Sequence, residues 1–318
     1  MNHHEINEKM SIKTMKAIRF HDYGGLEQLV LEDIPIPEPG AGEVLVKINA
    51  AAVNPWDWKF RSGKYKEGMK VKFPVIPGIE ASGTVEMTGS GVTDFLSGQA
   101  VYGSMMASYA EYCIASEQQL FHKPELLSFE EAAAVPVASQ TAWSSIIDIA
   151  GLRESQRILI HGGAGSVGIF AIQIAKWKGA YVYTTGSTEN LDFLRSQGAD
   201  RVIDYKINRF ESLVADVDVV LDTIGGEIQE RSWQVLRKGG ILVAIVSPPP
   251  PGKGEKYGVR AFYRNSGISK EGLIQIQSLV NDGTLRPVIR KIFPLSEAGL
   301  AQAMGEKGHG RGKIILKV

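Results

Sequence analysis

The fold of this chain is decided by residues 157–168, which read RILIHGGAGSVG. The apolar run predicts a buried strand over 157–161, followed by a glycine turn and an amphipathic helix from Ser166 to Lys178. Three glycines of the turn fit the pattern G-x-G-x-x-G, which permits a tight turn, close approach of a pyrophosphate and close helix–strand packing. The helix N-terminus would face the phosphates with its partial positive charge. We predict that the turn binds a dinucleotide and is not purely structural. The binding residues would be Gly163, Ala164, Gly165, Ser166, Val167 and Gly168.

Strands and helices alternate beyond this turn. Further strands are predicted at 181–185, 201–204, 217–222 and 240–246, with a sixth near 258–263. This alternation predicts α/β architecture with a doubly wound, parallel Rossmann sheet. Residues 15–121 instead contain short strands broken by many Gly and Pro turns, which favours a β-rich, partly open barrel.

The order of these regions predicts the domain organisation. A short αβ return after the Rossmann region suggests that the C-terminus rejoins the β-rich domain. We therefore expect a flexible N-terminal extension at 1–14, a β-rich catalytic domain at 15–137 and 283–318, and a dinucleotide-binding domain at 138–282. A cleft between the domains would meet the carboxyl ends of the Rossmann strands, where such folds bind ligands.

Composition excludes several functional classes. Lys plus Arg equals Asp plus Glu, 35 against 35, so no global charge favours nucleic acid or anionic lipid. Cys113 is the single cysteine, which excludes an intrachain disulfide and every multi-cysteine zinc site and favours a reducing, cytoplasmic location. No apolar stretch approaches the ~20 residues of a membrane span.

The tip of the second Rossmann strand indicates which dinucleotide is bound. NAD-preferring units place a carboxylate there, whereas this chain has small polar residues at Thr185, Gly186 and Ser187. Their hydroxyls could donate to a 2′-phosphate, so we predict NADP(H). Glu189 lies close by in the sequence, and Asn190 occupies the position of a first-turn base. The positive charge that balances the phosphate would come from Lys206 or another distant base, with Tyr205 as a hydrogen-bond donor.

Many motifs in consistent order resemble the zinc-independent branch of the medium-chain dehydrogenase/reductase superfamily, of the quinone oxidoreductase and alkenal/enone reductase type. They include residues 54–59 (NPWDWK), 77–83 (PGIEASG), 132–136 (AAAVP), 198–200 (GAD) and 311–314 (RGKI). The resemblance implies a GroES-like first domain. It also implies metal-free chemistry, because Asn54 and Ile79 stand where zinc relatives carry a cysteine and a histidine ligand, and Glu80 alone does not hold a catalytic zinc.

The same resemblance implies roles for individual residues. Asn54 would either donate a hydrogen bond to the substrate oxygen or serve only to form a turn before Pro55. Lys59 would meet substrate or nicotinamide ribose, or be a solvated surface lysine. Tyr65 would orient or protonate the acceptor, or merely cover its loop. The remaining implied cofactor contacts are Thr141, Ile245, Val246, Ser247, Phe262, Tyr263 and Arg311.

The predicted function is hydride transfer from NADPH to a quinone or an α,β-unsaturated carbonyl, a small electrophilic acceptor, without a metal. The alternatives are an NADP(H)-binding sensor or crystallin-like structural protein without turnover, and an alcohol dehydrogenase. The resemblance further implies a homodimer paired through the sixth strand. The proline-rich loop 247–256 is either a substrate lid or an exposed spacer.

Overall fold

The structure is a computed structural model that describes residues 13–264 and 269–318. The predicted extension at 1–14 falls almost wholly outside these residues, and the first strand already begins at Thr14. The N-terminal part contains β1 (Thr14–Arg19), β2 (Val30–Pro35), β3 (Glu43–Val53), α1 (Pro55–Arg61), β4 (Glu80–Thr88), β5 (Ala100–Ser104), β6 (Tyr112–Ser116), β7 (Leu120–His122), α2 (Phe129–Ala133) and α3 (Pro136–Trp143). A π-helical turn, Ser144–Ile149, continues α3.

The rest of the described chain alternates strands and helices. Its elements are β8 (Arg157–Ile160), α4 (Ser166–Trp177), β9 (Tyr181–Gly186), α5 (Leu191–Ser196), β10 (Arg201–Asp204), β11 (Val217–Asp222), α6 (Gly226–Ser232), β12 (Leu236–Ala244), α7 (Lys253–Lys256), β13 (Arg260–Tyr263), α8 (Lys270–Asn281), β14 (Ile289–Pro294), α9 (Ala298–Glu306) and β15 (Lys313–Lys317).

The predicted Rossmann sheet is confirmed. Six parallel strands lie in the order β10-β9-β8-β11-β12-β13, so the strand order reverses beside β8, where the glycine turn begins. Alternate residues of β8 enter different cores: Ile158 and Ile160 pack on one face of the sheet, and Leu159 packs on the other. Full burial of such side chains stabilises the fold by about 1.5–3 kcal/mol each.

The second large sheet has the order β14-β15-β3-β4-β5-β7, and β6 also pairs with β3. β3 is its longest strand, because the apolar residues 50–53 extend it to 11 residues. Antiparallel pairing of Ile314 with Val53 brings the C-terminus into this sheet, as the domain order suggested. At the same place an isolated bridge joins Gly312 to Gly165 in the glycine turn.

Several elements differ from expectation. β2 was not predicted, and it forms a two-stranded antiparallel sheet with β1. Helix α1 was not predicted either, since Asn54-Pro55 is typical of a turn; Pro55 instead occupies the first helical position, where its missing N–H costs nothing. β12 starts at Leu236 and ends at Ala244, so Ile245 and Val246 lie beyond the strand rather than within it.

Candidate functional site

The glycine turn presents bare backbone at the start of α4. Its left-handed residue is Gly162, with φ +66°, which lies one position before Gly163, the first glycine of the G-x-G-x-x-G pattern. A side chain on Gly163 would overlap Thr184, and one on Gly168 would overlap the backbone of Gly162. Gly165 is exposed, and a Cβ there would meet nothing closer than the Gly162 carbonyl oxygen at 3.4 Å. The space over Gly165 therefore fits a pyrophosphate beside the first-turn N–H groups of α4.

The predicted hydroxyls at the tip of β9 point into the protein. Thr185 is 4% exposed, and its Oγ1 accepts from the Gly162 N–H at 3.2 Å. Ser187 is equally buried, and its Oγ accepts from Asn190 Nδ2 at 2.8 Å. Both hydroxyls accept hydrogen bonds from within the turn, and their predicted role as donors to a 2′-phosphate stays a prediction.

Arg311 brings positive charge to this strand tip from the end of the chain. Its Nε donates to Asn190 Oδ1 at 2.6 Å, and its Nη2 donates to the Glu189 carbonyl oxygen. The guanidinium lies 5.1 Å from the centre of the Phe193 ring, where the ring face favours a cation. A planar guanidinium suits phosphate recognition.

Tyr205 and Lys206 follow β10 beside the same tip. The Tyr205 ring is 46% exposed and available to a ligand. Lys206 Nζ lies 3.0 Å from Glu189 Oε2. A bond to its own backbone N–H, together with the bond from Lys206, holds the pKa of Glu189 at about 2. Glu189 is therefore ionised, and the Lys206 ammonium balances its negative charge. With its charge balanced, Glu189 repels a second anion at this place less strongly.

Asn54 lies at the corner where β3 meets α1, and it is 3% exposed. Its Nδ2 donates to Glu80 Oε1 at 2.9 Å and to the Ala52 carbonyl oxygen at 3.3 Å. Its Oδ1 accepts from Lys313 Nζ at 2.5 Å. Both amide protons are engaged within the protein, so the structure gives Asn54 no free donor for a substrate oxygen. That predicted role stays a prediction that requires one of these bonds to open.

Glu80 and Lys313 form a buried ion pair next to Asn54. Lys313 Nζ lies 2.6 Å from Glu80 Oε1, and the two side chains are 4% and 0% exposed. Glu80 Oε2 accepts from the Val137 N–H at 2.7 Å. Within residues 13–264 and 269–318, no group of three or more His, Cys, Asp and Glu side chains could hold a metal ion. The Glu80 carboxylate already forms an ion pair with the Lys313 ammonium. Asn54, Ile79 and Glu80 therefore do not fit a three-ligand zinc site.

Asp57 also lies in this buried corner, although the sequence did not predict it as a site residue. Its Oδ2 accepts from the Asn54 N–H at 2.8 Å and from the Tyr109 hydroxyl at 2.8 Å. Burial raises the pKa of Asp57 from its ordinary 3.8 to about 7. The signal for α1 was present in the sequence, since Asn54 with an acidic residue three positions later is a variant of the capping box.

Tyr65 forms an aromatic wall with Trp56 and Phe60, and Lys59 lies on α1 between the latter two residues. Trp56 stacks between Phe60 and Tyr65, with ring centroids at 5.9 and 4.7 Å. Burial, and then the nearby charge of Lys64, lower the pKa of Lys59. Burial, and then the proximity of Tyr263, raise the pKa of Tyr65. The structure therefore brings Tyr65 of the β-rich domain towards the end of β13 in the Rossmann sheet.

The predicted nicotinamide contacts occupy two regions. Thr141 is buried on α3, where its Oγ1 donates to the Val137 carbonyl oxygen at 2.6 Å. The residues Ile245, Val246 and Ser247 follow β12, and the Ser247 carbonyl oxygen accepts from Gln229 Nε2 at 3.2 Å. Phe262 and Tyr263 are 44% and 38% exposed on β13. Residues 248–252 and β13 line a groove of about 440 Å³. Whether the proline-rich loop is a substrate lid or an exposed spacer stays a prediction.

His161 is buried at the end of β8. Its Nε2 lies 2.9 Å from Ser232 Oγ, and its Nδ1 lies 3.3 Å from Thr185 Oγ1. Burial lowers its pKa to about 4, so the ring is neutral at physiological pH. These contacts indicate a structural role for His161.

A parallel Rossmann sheet with its glycine turn, together with a second sheet that receives the C-terminus, defines an α/β dinucleotide-binding fold with a GroES-like sheet domain. Family profiles agree: an alcohol dehydrogenase GroES-like domain matches residues 40–140, and a zinc-binding dehydrogenase domain matches residues 197–316. The chain belongs to the medium-chain dehydrogenase/reductase superfamily. No helix in the described part of the chain is long and apolar enough to cross a membrane.

Individual relatives point to one branch of this superfamily. A 2-methylene-furan-3-one reductase of Solanum lycopersicum is 35% identical, over 98% of this chain and 81% of its own. An NADPH-dependent alkenal/one oxidoreductase of Arabidopsis thaliana is 34% identical, over 96% of this chain and 80% of its own. The structure of a quinone oxidoreductase from Coxiella burnetii superposes with a TM-score of 0.86 at 36% identity, covering 96% of this chain and all of that one.

Proposed function

We propose that this protein is an NADPH-dependent oxidoreductase that reduces quinones or α,β-unsaturated carbonyl compounds without a metal. The observation that carries the proposal is the position of Arg311 beside Asn190 at the tip of β9, next to Gly312, which is bridged to Gly165 in the glycine turn. An adenosine 2′-phosphate at Arg311 and a pyrophosphate over Gly165 would orient the cofactor towards the aromatic wall. The names of the plant relatives support both the cofactor and the acceptor class.

When bound, NADPH supplies the hydride, and the protein supplies orientation and a site from which water is excluded. The face of the Tyr65 ring that is turned away from Trp56 provides a flat apolar surface that suits a planar, conjugated acceptor. Lys59 and the Tyr65 hydroxyl are donors at this wall, and each could stabilise the oxygen that gains negative charge as hydride adds. No Lewis acid is required, because that charge delocalises into an enolate or a phenolate.

A homodimer and a cytoplasmic location belong to the same proposal. β13 is the last strand of the Rossmann sheet and pairs only with β12 among the described residues. Its outer edge could pair with β13 of a second copy. Light scattering during size-exclusion chromatography measures the mass in solution, and a monomer at micromolar concentration contradicts this part. The location stays a prediction that rests on the single cysteine.

An acceptor screen tests the enzymatic proposal. Consumption of NADPH and NADH is measured with 1,4-benzoquinone, a naphthoquinone, a 2-alkenal, an alkyl vinyl ketone and a simple ketone. We expect turnover of the quinones or the conjugated carbonyls with NADPH, at least about tenfold slower turnover with NADH, and no loss of activity with EDTA. Tight NADPH binding without any turnover would support a binding protein, and chelator-sensitive reduction of the simple ketone would support an alcohol dehydrogenase.

A further inference from the structure

Three consecutive residues near the C-terminus contact three separate parts of the site. Arg311 donates to Asn190 at the tip of β9. The Gly312 N–H donates to the Ala164 carbonyl oxygen in the glycine turn at 2.9 Å. The Lys313 ammonium lies between Asn54 and Glu80 in the buried corner of the β-rich domain. We refer to residues 311–313 as the strap.

The strap has little freedom to bend. Gly312 has φ +72°, and a side chain there would overlap the Val288 carbonyl group. The next N–H, that of Lys313, donates to the Val288 oxygen at 2.8 Å. The backbone of the strap is therefore held by hydrogen bonds on both sides, to Ala164 and to Val288.

Lys313 also stands at the junction of two helices that carry site residues. It fixes the orientation of the Asn54 amide, and Asn54 is the N-cap of α1, the helix of Lys59. It binds one oxygen of Glu80, whose other oxygen accepts from the Val137 N–H in the first turn of α3, the helix of Thr141. A buried cation with these partners is costly to move, since any separation leaves a carboxylate uncompensated.

We propose that Lys313 is a positioning residue, and that the strap couples occupation of the Arg311 end of the site to the placement of α1 and α3. The inference rests on the proposed function, because it assigns the cofactor's 2′-phosphate to Arg311. Lys313 itself is 4% exposed and acts through Asn54 and Glu80 rather than on the reacting atoms. Coupling of this kind is carried by a contiguous chain of rigid contacts.

Hydrogen–deuterium exchange with a fragment of the cofactor tests the coupling without any turnover. Adenosine 2′,5′-bisphosphate has no nicotinamide half, so it cannot reach α1. In the wild-type protein we expect it to slow exchange in peptides that cover residues 54–61 and 136–143, by about fivefold or more. Adenosine 5′-monophosphate, which lacks the 2′-phosphate, should slow exchange there by less.

The Lys313→Met variant should still bind the bisphosphate, because Arg311 and the glycine turn remain, but α1 and α3 should no longer respond. Lys317→Met is the matched control on the same strand, since Lys317 is exposed and pairs only loosely with Glu130. Normal protection of α1 and α3 in Lys313→Met overturns the inference and leaves the proposed function intact. Failure of the wild-type protein to bind the bisphosphate overturns both.

Kinetics provides the second readout. We expect Lys313→Met to lower kcat by about tenfold or more while the Kd for NADPH changes by less than about threefold. Lys313→Arg, which keeps the charge, should recover part of kcat. If Lys313→Met does not fold, the double variant Glu80→Gln with Lys313→Met removes both buried charges and restores folding. Wild-type kcat in whichever of these methionine variants folds contradicts the positioning role.

Discussion

The Tyr109 hydroxyl lies 2.8 Å from Asp57 Oδ2, in the buried corner beneath α1. The other oxygen, Asp57 Oδ1, is also buried and has no hydrogen-bond partner among the described residues. An ionised carboxylate is costly in such a place, and burial accordingly raises the pKa of Asp57 to about 7. The corner that positions Asn54 and α1 therefore contains a group that titrates near neutral pH.

The first prediction concerns the pH dependence of stability. The pKa of Asp57 rises from 3.8 to about 7 on folding, so between these pH values the folded protein binds a proton that the unfolded chain has lost. Its stabilising contribution is complete below about pH 4 and is lost as pH rises through about 7. Asp57→Asn keeps an acceptor for Asn54 and Tyr109 but cannot ionise.

Denaturant unfolding at a series of pH values checks this. As pH rises from 4 to 7, the free energy of unfolding of the wild-type protein should fall relative to that of Asp57→Asn, by on the order of 2–4 kcal/mol. Parallel pH profiles for the two proteins would show that Asp57 is already ionised at low pH.

The second prediction separates cofactor binding from folding within the glycine turn. Gly165→Ala places a methyl group in open space, so stability should change by less than about 0.5 kcal/mol. That methyl occupies the space assigned to the pyrophosphate, and NADPH should bind about tenfold more weakly. Gly168→Ala overlaps the backbone of Gly162 and should cost about 1–3 kcal/mol of stability. Urea unfolding and NADPH fluorescence titration measure the two effects, and equal NADPH affinity in Gly165→Ala would refute the assignment.

The third prediction concerns the choice of dinucleotide. Arg311→Met should weaken NADPH binding by about 10- to 100-fold, since a charge-assisted hydrogen bond contributes about 1.5–3 kcal/mol. NADH has no 2′-phosphate, so its affinity should change by less than about threefold. Arg290→Met is the control, because Arg290 bonds to the Met304 and Gly308 carbonyl oxygens away from β9. Equal losses for NADPH and NADH would place the 2′-phosphate elsewhere.

The fourth prediction uses the charge of Lys64. Burial and then Lys64 lower the pKa of Lys59, so activity that needs the Lys59 ammonium should fall on the alkaline side of the pH profile. Lys64→Met removes one of the two causes and should move that alkaline limb to higher pH. Lys66→Met, an exposed lysine two residues further on, serves as the control. An unmoved limb in Lys64→Met would mean that another group limits activity there.

The accuracy of the sequence-based predictions depended on how far apart along the chain the interacting residues lie. The unit of strand, glycine turn and helix at 157–178 was predicted because its signals lie within a few residues of one another. Helix α1 was missed because Pro55 is ambiguous: it fits both a turn and the first position of a helix. The burial of the Thr185 and Ser187 hydroxyls was not predicted, because exposure depends on neighbours that local sequence does not contain.

The sequence by itself determined the parallel sheet, the glycine turn over a helix N-terminus, and the lack of a carboxylate at the tip of β9. Each of these follows from periodicity and backbone chemistry, which act over short separations. Only the tertiary structure decided that Lys313 lies 2.5 Å from Asn54, a residue 259 positions away. That contact requires the antiparallel register of β15 on β3, and the register is set by the packing of the whole sheet rather than by any local pattern.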